Sequence, residues 1–380
     1  MTHFKRLFSF VLLLTLAGSL NAQISHDGTP ASFENKSLSS EIDHLQIRHP
    51  DVQQLIEASK ADGKNGRPVQ IATHIDININ MDNAGTWDIL PDGRYVWRLK
   101  ISSENAKALG ISYDKFSLPA GSELFIYSPD KVQRIGAFND RNNADGGWFA
   151  TEMIYGSSLI LEYISPKPRV PDAYKSREFI NTANISIAKL EYYYQGVHDP
   201  YREKGFGNSQ ECEVNINCSE GASWQDEKRG VARILVKSGS GSFWCTGSLV
   251  NNSNENGTPY FLSAYHCADG ISTAYYDQWI FYFNYEFSNC NNTSIEPSSN
   301  SITGCSHIAE GLMDGGSDFL LVELNSTPPA YYDVIYNGWT TTSSASSNGV
   351  GIHHPSGDVK KISTYTSPLS TSTYYGESTG

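Results

Sequence analysis

Between positions 71 and 79 the chain alternates: Ile71, Ile75, Ile77 and Ile79 fall on one side of a two-residue period, while His74, Asp76, Asn78 and Asn80 fall on the other. That pattern predicts a half-exposed strand. Further strands are predicted at Thr86–Ile89, Tyr95–Ile101, Ser122–Tyr127, Ile135–Phe138 and Ser157–Tyr163, separated by turn sequences such as Pro91-Asp92-Gly93 and Pro119-Ala120-Gly121. Short strands at these intervals predict a β-sandwich over about 68–190. The stretch before it, 23 to about 65, is polar with little periodicity outside Ile42 to Ile56 and reads as a loosely packed leader. Asp76-x-Asn78-x-Asn80 has the spacing of calcium ligands but lacks the glycine that such a loop needs at its sharp turn, so these residues are assigned to the strand.

The amino terminus is patterned differently. His3, Lys5 and Arg6 precede the apolar run Leu7 to Ala17, and Gly18-Ser19-Leu20-Asn21-Ala22 follows. This predicts a signal peptide over 1–22 with cleavage after Ala22, the apolar run being too short to span a bilayer. Later in the chain, Pro166-Lys167-Pro168-Arg169-Val170-Pro171 reads as a stiff linker. A second exposed junction, Val197 to Asn208, contains Tyr201-Arg202-Glu203-Lys204-Gly205. A processing boundary after Lys204 is predicted there, dividing a leader-plus-sandwich segment, 23–204, from a second domain, 205–380.

Composition sharpens the fold class. Apolar residues make up 39% and charged residues 18%, with Gly, Ser, Thr, Asn and Tyr abundant, which favours an all-β protein over helical bundles. The formal charge of -13 falls almost wholly beyond Gly205 and argues against nucleic acid and anionic membranes as partners. No segment after the amino terminus is long and apolar enough for a membrane span. All six cysteines lie from Cys212 to Cys305, without a C-x-x-C or H-E-x-x-H pattern, so disulfides are expected in an exported chain, and neither metal nor cofactor is.

Chemistry concentrates in two neighbouring stretches, Trp244-Cys245-Thr246-Gly247-Ser248-Leu249-Val250 and Tyr260-Phe261-Leu262-Ser263-Ala264-Tyr265-His266-Cys267. A catalytic base needs its imidazole held within hydrogen-bond reach of a nucleophile, and a Cys245–Cys267 bridge would pin His266 beside it. By residue type alone, a core histidine packed near a disulfide reads equally well. Asp318 opens the apolar run Phe319 to Val322, which suggests a buried strand, and a buried carboxylate needs a partner such as a histidine. An ordinary strand-end aspartate is the other reading of Asp318; Asp314 and Asp269 are weaker candidates for an acid.

These stretches resemble the lysyl endopeptidases, secreted bacterial proteases of the chymotrypsin clan. The likeness runs over roughly 205 to 370 and rests on Cys212-x5-Cys218, Cys245 to Asn252, Tyr260 to Cys267, Ser317-Asp318-Phe319-Leu320-Leu321-Val322-Glu323-Leu324 and Ile352-His353-His354-Pro355. It implies a double β-barrel, a Ser-His-Asp triad and a long propeptide, the last matching the strand-rich segment 68 to 190. Carried onto this chain, it makes His266 the general base and Asp318 the carboxylate that orients it, and it pairs Cys218 with Cys290 and Cys245 with Cys267. Cys305 has no counterpart, and the partner of Cys212 would lie past the end, so a Cys212–Cys305 bridge and a leftover thiol both stay open. The His353-His354 pair is assigned to a turn before Pro355, outside the triad.

The resemblance stops short of the nucleophile. The family's serine sits in a Gly-x-Ser-Gly-type loop that also supplies oxyanion-hole amides, and no such loop occurs in 1–380. Gly376-Glu377-Ser378-Thr379-Gly380 imitates Gly-x-Ser-x-Gly, yet that motif needs a strand before it and a helix after it, so Ser378 is not taken as the nucleophile. The expectation is therefore an all-β secreted proenzyme: a β-sandwich propeptide followed by an incomplete chymotrypsin-like domain, inactive as it stands. The implied activity is serine endopeptidase cleavage of polypeptides after lysine or other basic residues, with the propeptide as the chain's own partner. The alternative is an exported binding or adhesion protein that keeps a protease-like shape without catalysis.

Overall fold

The isoleucine alternation does form a strand. The computed structural model describes residues 28–64, 68–143, 146–167, 182–197, 209–210, 212–292, 296–313, 316–370, 373–374 and 377–378. Within them the protein is all-β apart from two helices, Ala31–Glu34 and Val52–Lys64, and short 3-10 turns. The signal peptide with Ala22, the Pro-rich linker from 168 onward and Lys204 lie outside the described residues.

The front half contains β1 (His44–Gln46), β2 (Gln70–Asn80), β3 (Thr86–Ile89), β4 (Tyr95–Ser102), β5 (Ala108–Ser117), β6 (Glu123–Tyr127), β7 (Arg134–Phe138), β8 (Phe149–Ala150), β9 (Ile154–Tyr155), β10 (Ser158–Ile164) and β11 (Asn184–Tyr193). One sheet runs β1-β4-β10-β6-β7, with β3 also on β4; the facing strands run β2-β11-β5, with β8 and β9 on β5. Trp97, Leu99, Leu159 and Leu161 from the first sheet meet Leu109, Ile111, Ile187 and Leu190 from the second in one apolar core. This is the predicted β-sandwich, closed by burial alone at about 1.5–3 kcal/mol per fully buried large side chain.

The leader packs more firmly than its polarity suggests. β1 adds in parallel to β4, with His44 opposite Lys100. Val52, Leu55 and Ile56 share one face of their helix and lie against the sandwich core, while Ala31 and Phe33 pack against Leu90, Val96 and Phe125. Only one helical turn of this stretch carries apolar spacing, too little to stand out from its polar surroundings.

The rear half adds β12 (Val214–Asn215), β13 (Val231–Lys237), β14 (Gly241–Leu249), β15 (Tyr260–Ser263), β16 (Ile280–Phe283), β17 (Asn300–Thr303), β18 (Cys305–Gly311), β19 (Phe319–Leu324), β20 (Gly349–His353) and β21 (Lys361–Tyr365). The order β17-β16-β13-β14-β15-β19-β18 wraps antiparallel strands around Ile234, Val236, Phe261, Trp279, Phe281, Leu320 and Val322. β17 and β18 follow one another through Gly304, but no ladder joins them, so among the described residues the wrap is not a closed barrel. β12, β21 and β20 form a small separate sheet.

The halves share a sheet. One edge of β14 carries two partners: Gly241 to Phe243 pair with β2 of the sandwich, and Ser248 and Leu249 pair with β15. Front and rear strands thereby form one twelve-stranded sheet.

Candidate active site

β15 and β19 run antiparallel with Ser263 opposite Leu320, so the residues that follow the first strand meet those that precede the second. After β15 the chain enters a single 3-10 turn, Tyr265–Cys267, which presents His266; Asp318 stands immediately before β19. The Tyr265 N–H donates to the Asp318 carbonyl at 3.3 Å and the Asp318 N–H to Leu312 O at 3.2 Å. Asp318 itself sits at φ +47°, in the left-handed region that aspartate tolerates better than most residues.

This turn gives the carboxylate two donors from one residue. Asp318 Oδ1 accepts the His266 backbone N–H at 2.9 Å, and Oδ2 lies 2.8 Å from His266 Nδ1. A carboxylate at Nδ1 selects the tautomer protonated there and makes Nε2 the basic nitrogen of the ring. Cys267, next in the chain, is buried and bonded to Cys245 on β14, which ties the turn to the strand beside it. The side chains of His266 and Asp318 are 28% and 26% exposed, open enough for a reacting group to approach. Asp318 is therefore less buried than the apolar run after it suggested. β19 alternates, with Leu320, Val322 and Leu324 inward and Phe319, Leu321 and Glu323 partly exposed.

Thr246 is a neighbour that the sequence did not single out. Its carbonyl accepts the Ser263 hydroxyl at 2.8 Å and its own hydroxyl accepts the His354 N–H at 3.0 Å, linking β14, the end of β15 and the histidine pair. Nothing in Cys245-Thr246-Gly247 marks it in advance. Only His354 stands at the expected turn, preceding Pro355–Gly357, whereas His353 ends the strand β20. His354 is buried, its Nδ1 lies 2.9 Å from Asp358 O, and burial followed by the nearby Lys360 ammonium holds its pKa well below the usual histidine value. Burial also lowers that of His353. A neutral, enclosed His354 serves the packing of Tyr285 rather than proton transfer.

The second bridge, Cys218–Cys290, is formed. Cys212 and Cys305 are both free, Cys212 exposed and Cys305 buried, so a bridge between them is not the completion of the set. Asp269 is exposed in the turn after Cys267, and Asp314 lies outside the described residues. Glu377–Ser378 forms a two-residue strand paired with Thr373–Tyr374, not the strand-to-helix elbow of a Gly-x-Ser-x-Gly nucleophile. Two disulfides fit an oxidising compartment. No described helix is long and apolar enough to cross a membrane.

Residues 206–380, which hold both strands of the site, match the family model described as lysyl endopeptidase, C-terminal domain. Over 343 residues, 88% of this chain and 71% of the relative, the sequence is 27% identical to lysyl endopeptidase of Pseudomonas aeruginosa. That match covers the turn that carries His266 and the strand that follows Asp318, so the site lies in the part of this chain that is similar to the lysyl endopeptidases.

Proposed function

We propose that the protein is a secreted serine-type endopeptidase that cleaves after lysine or other basic residues and is made as a proenzyme. One observation carries this reading: Asp318 holds His266 at both the backbone N–H and Nδ1, the arrangement that orients an imidazole as a base. In the proposed reaction a serine attacks the peptide carbonyl, His266 Nε2 takes its proton and returns it to the leaving amine, and Asp318 stabilises the imidazolium between these steps. The serine is assigned to no residue of 1–380. Preference for lysine is supported by the name of the relative, and the negative charge of the rear half favours encounter with cationic substrates. Export through 1–22 and removal of 23–204 by a cut after Lys204 complete the proposal, since Lys204 supplies the residue after which such an enzyme cleaves.

The test is turnover of a lysyl peptide substrate by the secreted, nucleophile-bearing enzyme. His266→Ala and Asp318→Asn each lower kcat by about 10⁴-fold, one deleting the base and the other its tautomer, whereas His353→Ala leaves kcat within a few-fold. A loss at His353 equal to that at His266 would move the base to the other histidine pair. Amino-terminal sequencing of the secreted enzyme checks the cut, which is expected to leave Gly205 first.

A further inference from the structure

From Gly205 onward the chain carries four lysines, Lys228, Lys237, Lys360 and Lys361, and two arginines, Arg229 and Arg233. Lysine is ordinarily a surface residue that keeps its ammonium in water. The front half obeys that rule: Lys36 and Lys131 stand exposed in turns, and Lys60 and Lys107 are exposed as well. The rear half breaks it at every lysine. Lys237, Lys360 and Lys361 are buried, and the side chain of Lys228 is only 11% exposed.

Each ammonium is held. Lys228 Nζ lies 2.6 Å from Glu286 Oε1 and donates to Asn217 Oδ1 at 2.7 Å, and Lys360 Nζ donates to Glu286 Oε2 at 2.9 Å. Lys361 Nζ donates to Asn215 Oδ1 at 2.7 Å, and Lys237 Nζ to Glu191 Oε1 at 2.8 Å and Thr151 O at 3.0 Å. The backbone at these residues is engaged too. Lys228 O accepts Lys360 Nζ at 2.8 Å, Lys237 O accepts Trp279 Nε1 at 3.0 Å, and Lys360 O accepts the Ile216 N–H at 3.2 Å. Lys361 pairs with Asn215 on one side and His353 on the other, in the middle strand of the small β12-β21-β20 sheet. Of the arginines, Arg233 is buried over the rings of Trp244, Tyr282 and Tyr285, and Arg229 is held between Asp226 and Asp333.

An endopeptidase that cleaves after lysine must draw the side chain into its pocket and the carbonyl of the same residue into its oxyanion hole, on a locally extended segment. At all four rear lysines both handles are already bound inside the protein. Cleavage there needs the fold to open first, and its rate follows the population of the opened form. We infer that the rear half is closed to the specificity proposed for it: none of its lysyl bonds is a substrate for a second copy of the same enzyme, whereas the exposed turns of the front half are open to attack. That specificity is taken from the proposed function, while the protection is a property of this chain as a substrate. Together they let such a protease persist at high concentration among its own copies.

The test supplies the protease from outside, so this chain acts only as substrate and its own chemistry plays no part. Failure of the lysine preference shows instead in the turnover assay of the proposed function. The full chain is incubated with a purified lysine-specific endopeptidase at neutral pH, quenched, reduced and mapped by mass spectrometry. Cuts after Lys36 and Lys131 are expected at least about a hundredfold faster than any cut after Lys228, Lys237, Lys360 or Lys361, all four of which are cut once the chain is denatured and reduced. A native-state cut at any of the four within about tenfold of the rate at Lys131 overturns the inference. Asn254→Lys places a lysine on the exposed stretch between β14 and β15 and is expected to be cut at about the rate of Lys131. If that position is spared as well, the rear half resists through rigidity and not through the placement of its lysines, and the inference fails. Glu286→Gln removes the counter-charge of Lys228 and Lys360 and is expected to raise cleavage after them by at least about tenfold, unchanged cleavage counting against the inference. If Glu286→Gln does not fold, Asn254→Lys decides.

Discussion

Two base–carboxylate pairs of equal length sit in different surroundings. Glu191 and Lys237 are 2.8 Å apart with no exposed side-chain surface, at the seam between the halves. Asp318 and His266 are also 2.8 Å apart, but each keeps about a quarter of its side-chain surface in contact with water. In the seam, burial opposes both charges, yet the Lys237 ammonium, the nearby His74 and hydrogen bonds from Lys237 and Ser112 hold the Glu191 carboxyl below its usual range. Such a pair can fix two surfaces in register but has no route to a substrate proton. The His266–Asp318 pair is the reverse: about a quarter exposed, it adds little to stability, and its imidazole lies where a reacting group can approach.

The largest effect that would sharpen this contrast is on stability at the seam. Glu191→Leu or Lys237→Met alone is expected to cost about 3–5 kcal/mol in denaturant unfolding, because each strands a buried charge, while the double replacement recovers most of the loss. Asp318→Asn costs less than about 1 kcal/mol by the same measurement. Seam variants no more damaging than Asp318→Asn would erase the distinction.

Next in size are the disulfides. Replacing Cys245 and Cys267 together by alanine, or Cys218 and Cys290 together, costs about 2–5 kcal/mol in each case. Turnover per folded molecule falls only for the first, since Cys267 adjoins His266, and equal kinetic losses from both would deny that bridge its role in aiming the base.

A further effect is one of pH. Burial, followed by the Lys237 and Lys189 charges against an opposing Glu191, lowers the His74 pKa from 6.5 to about 4. Between those values the unfolded chain takes up a proton that the folded chain refuses, so stability falls as pH drops from 6.5 towards 4 and this contribution levels off below. Unfolding free energies across pH 4–7 should show the slope in the wild type and a flatter one in His74→Gln. Identical slopes would mean that His74 is not shielded by the seam.

Strands were readable as short runs between turn sequences, whether one face meets water, as in β2, or both are covered, as in β6. β2, β3, β4, β6, β7 and β10 lie within a residue or two of their predicted bounds. β5 and β11 escaped for separate reasons. In β5 the residues from Ala108 to Tyr113 are buried on both faces, one under the sandwich core and the other under the rear half, so no polar alternation marks them. In β11 a register shift between Ile187 and Lys189 flips the phase, carrying the inward set from Ile185 and Ile187 to Leu190 and Tyr192 and burying Glu191 on the opposite face. The seam was invisible in the sequence for the same cause: its two sides lie far apart along the chain, and its charged residues read as solvent-exposed. The nearness of Asp318 to His266 follows from the β15–β19 register, which the local pattern does not encode; the apolar run after Asp318 suggested a histidine partner, and motif resemblance singled out His266.

The backbone at Asp318 also bears on how such a site drifts over generations. At φ +47° the position admits glycine, asparagine and aspartate with ease and penalises the longer glutamate as well as any branched side chain. Of the three that fit, asparagine matches aspartate atom for atom in shape and would keep the turn, the strand and the neighbouring bridge intact. A single-base change from an aspartate codon to an asparagine codon would thus give a descendant that keeps the fold yet loses the charge that faces His266. Loss of that charge and loss of structure are uncoupled at this residue, so on the proposed function an inactive lineage could arise here without any trace in stability.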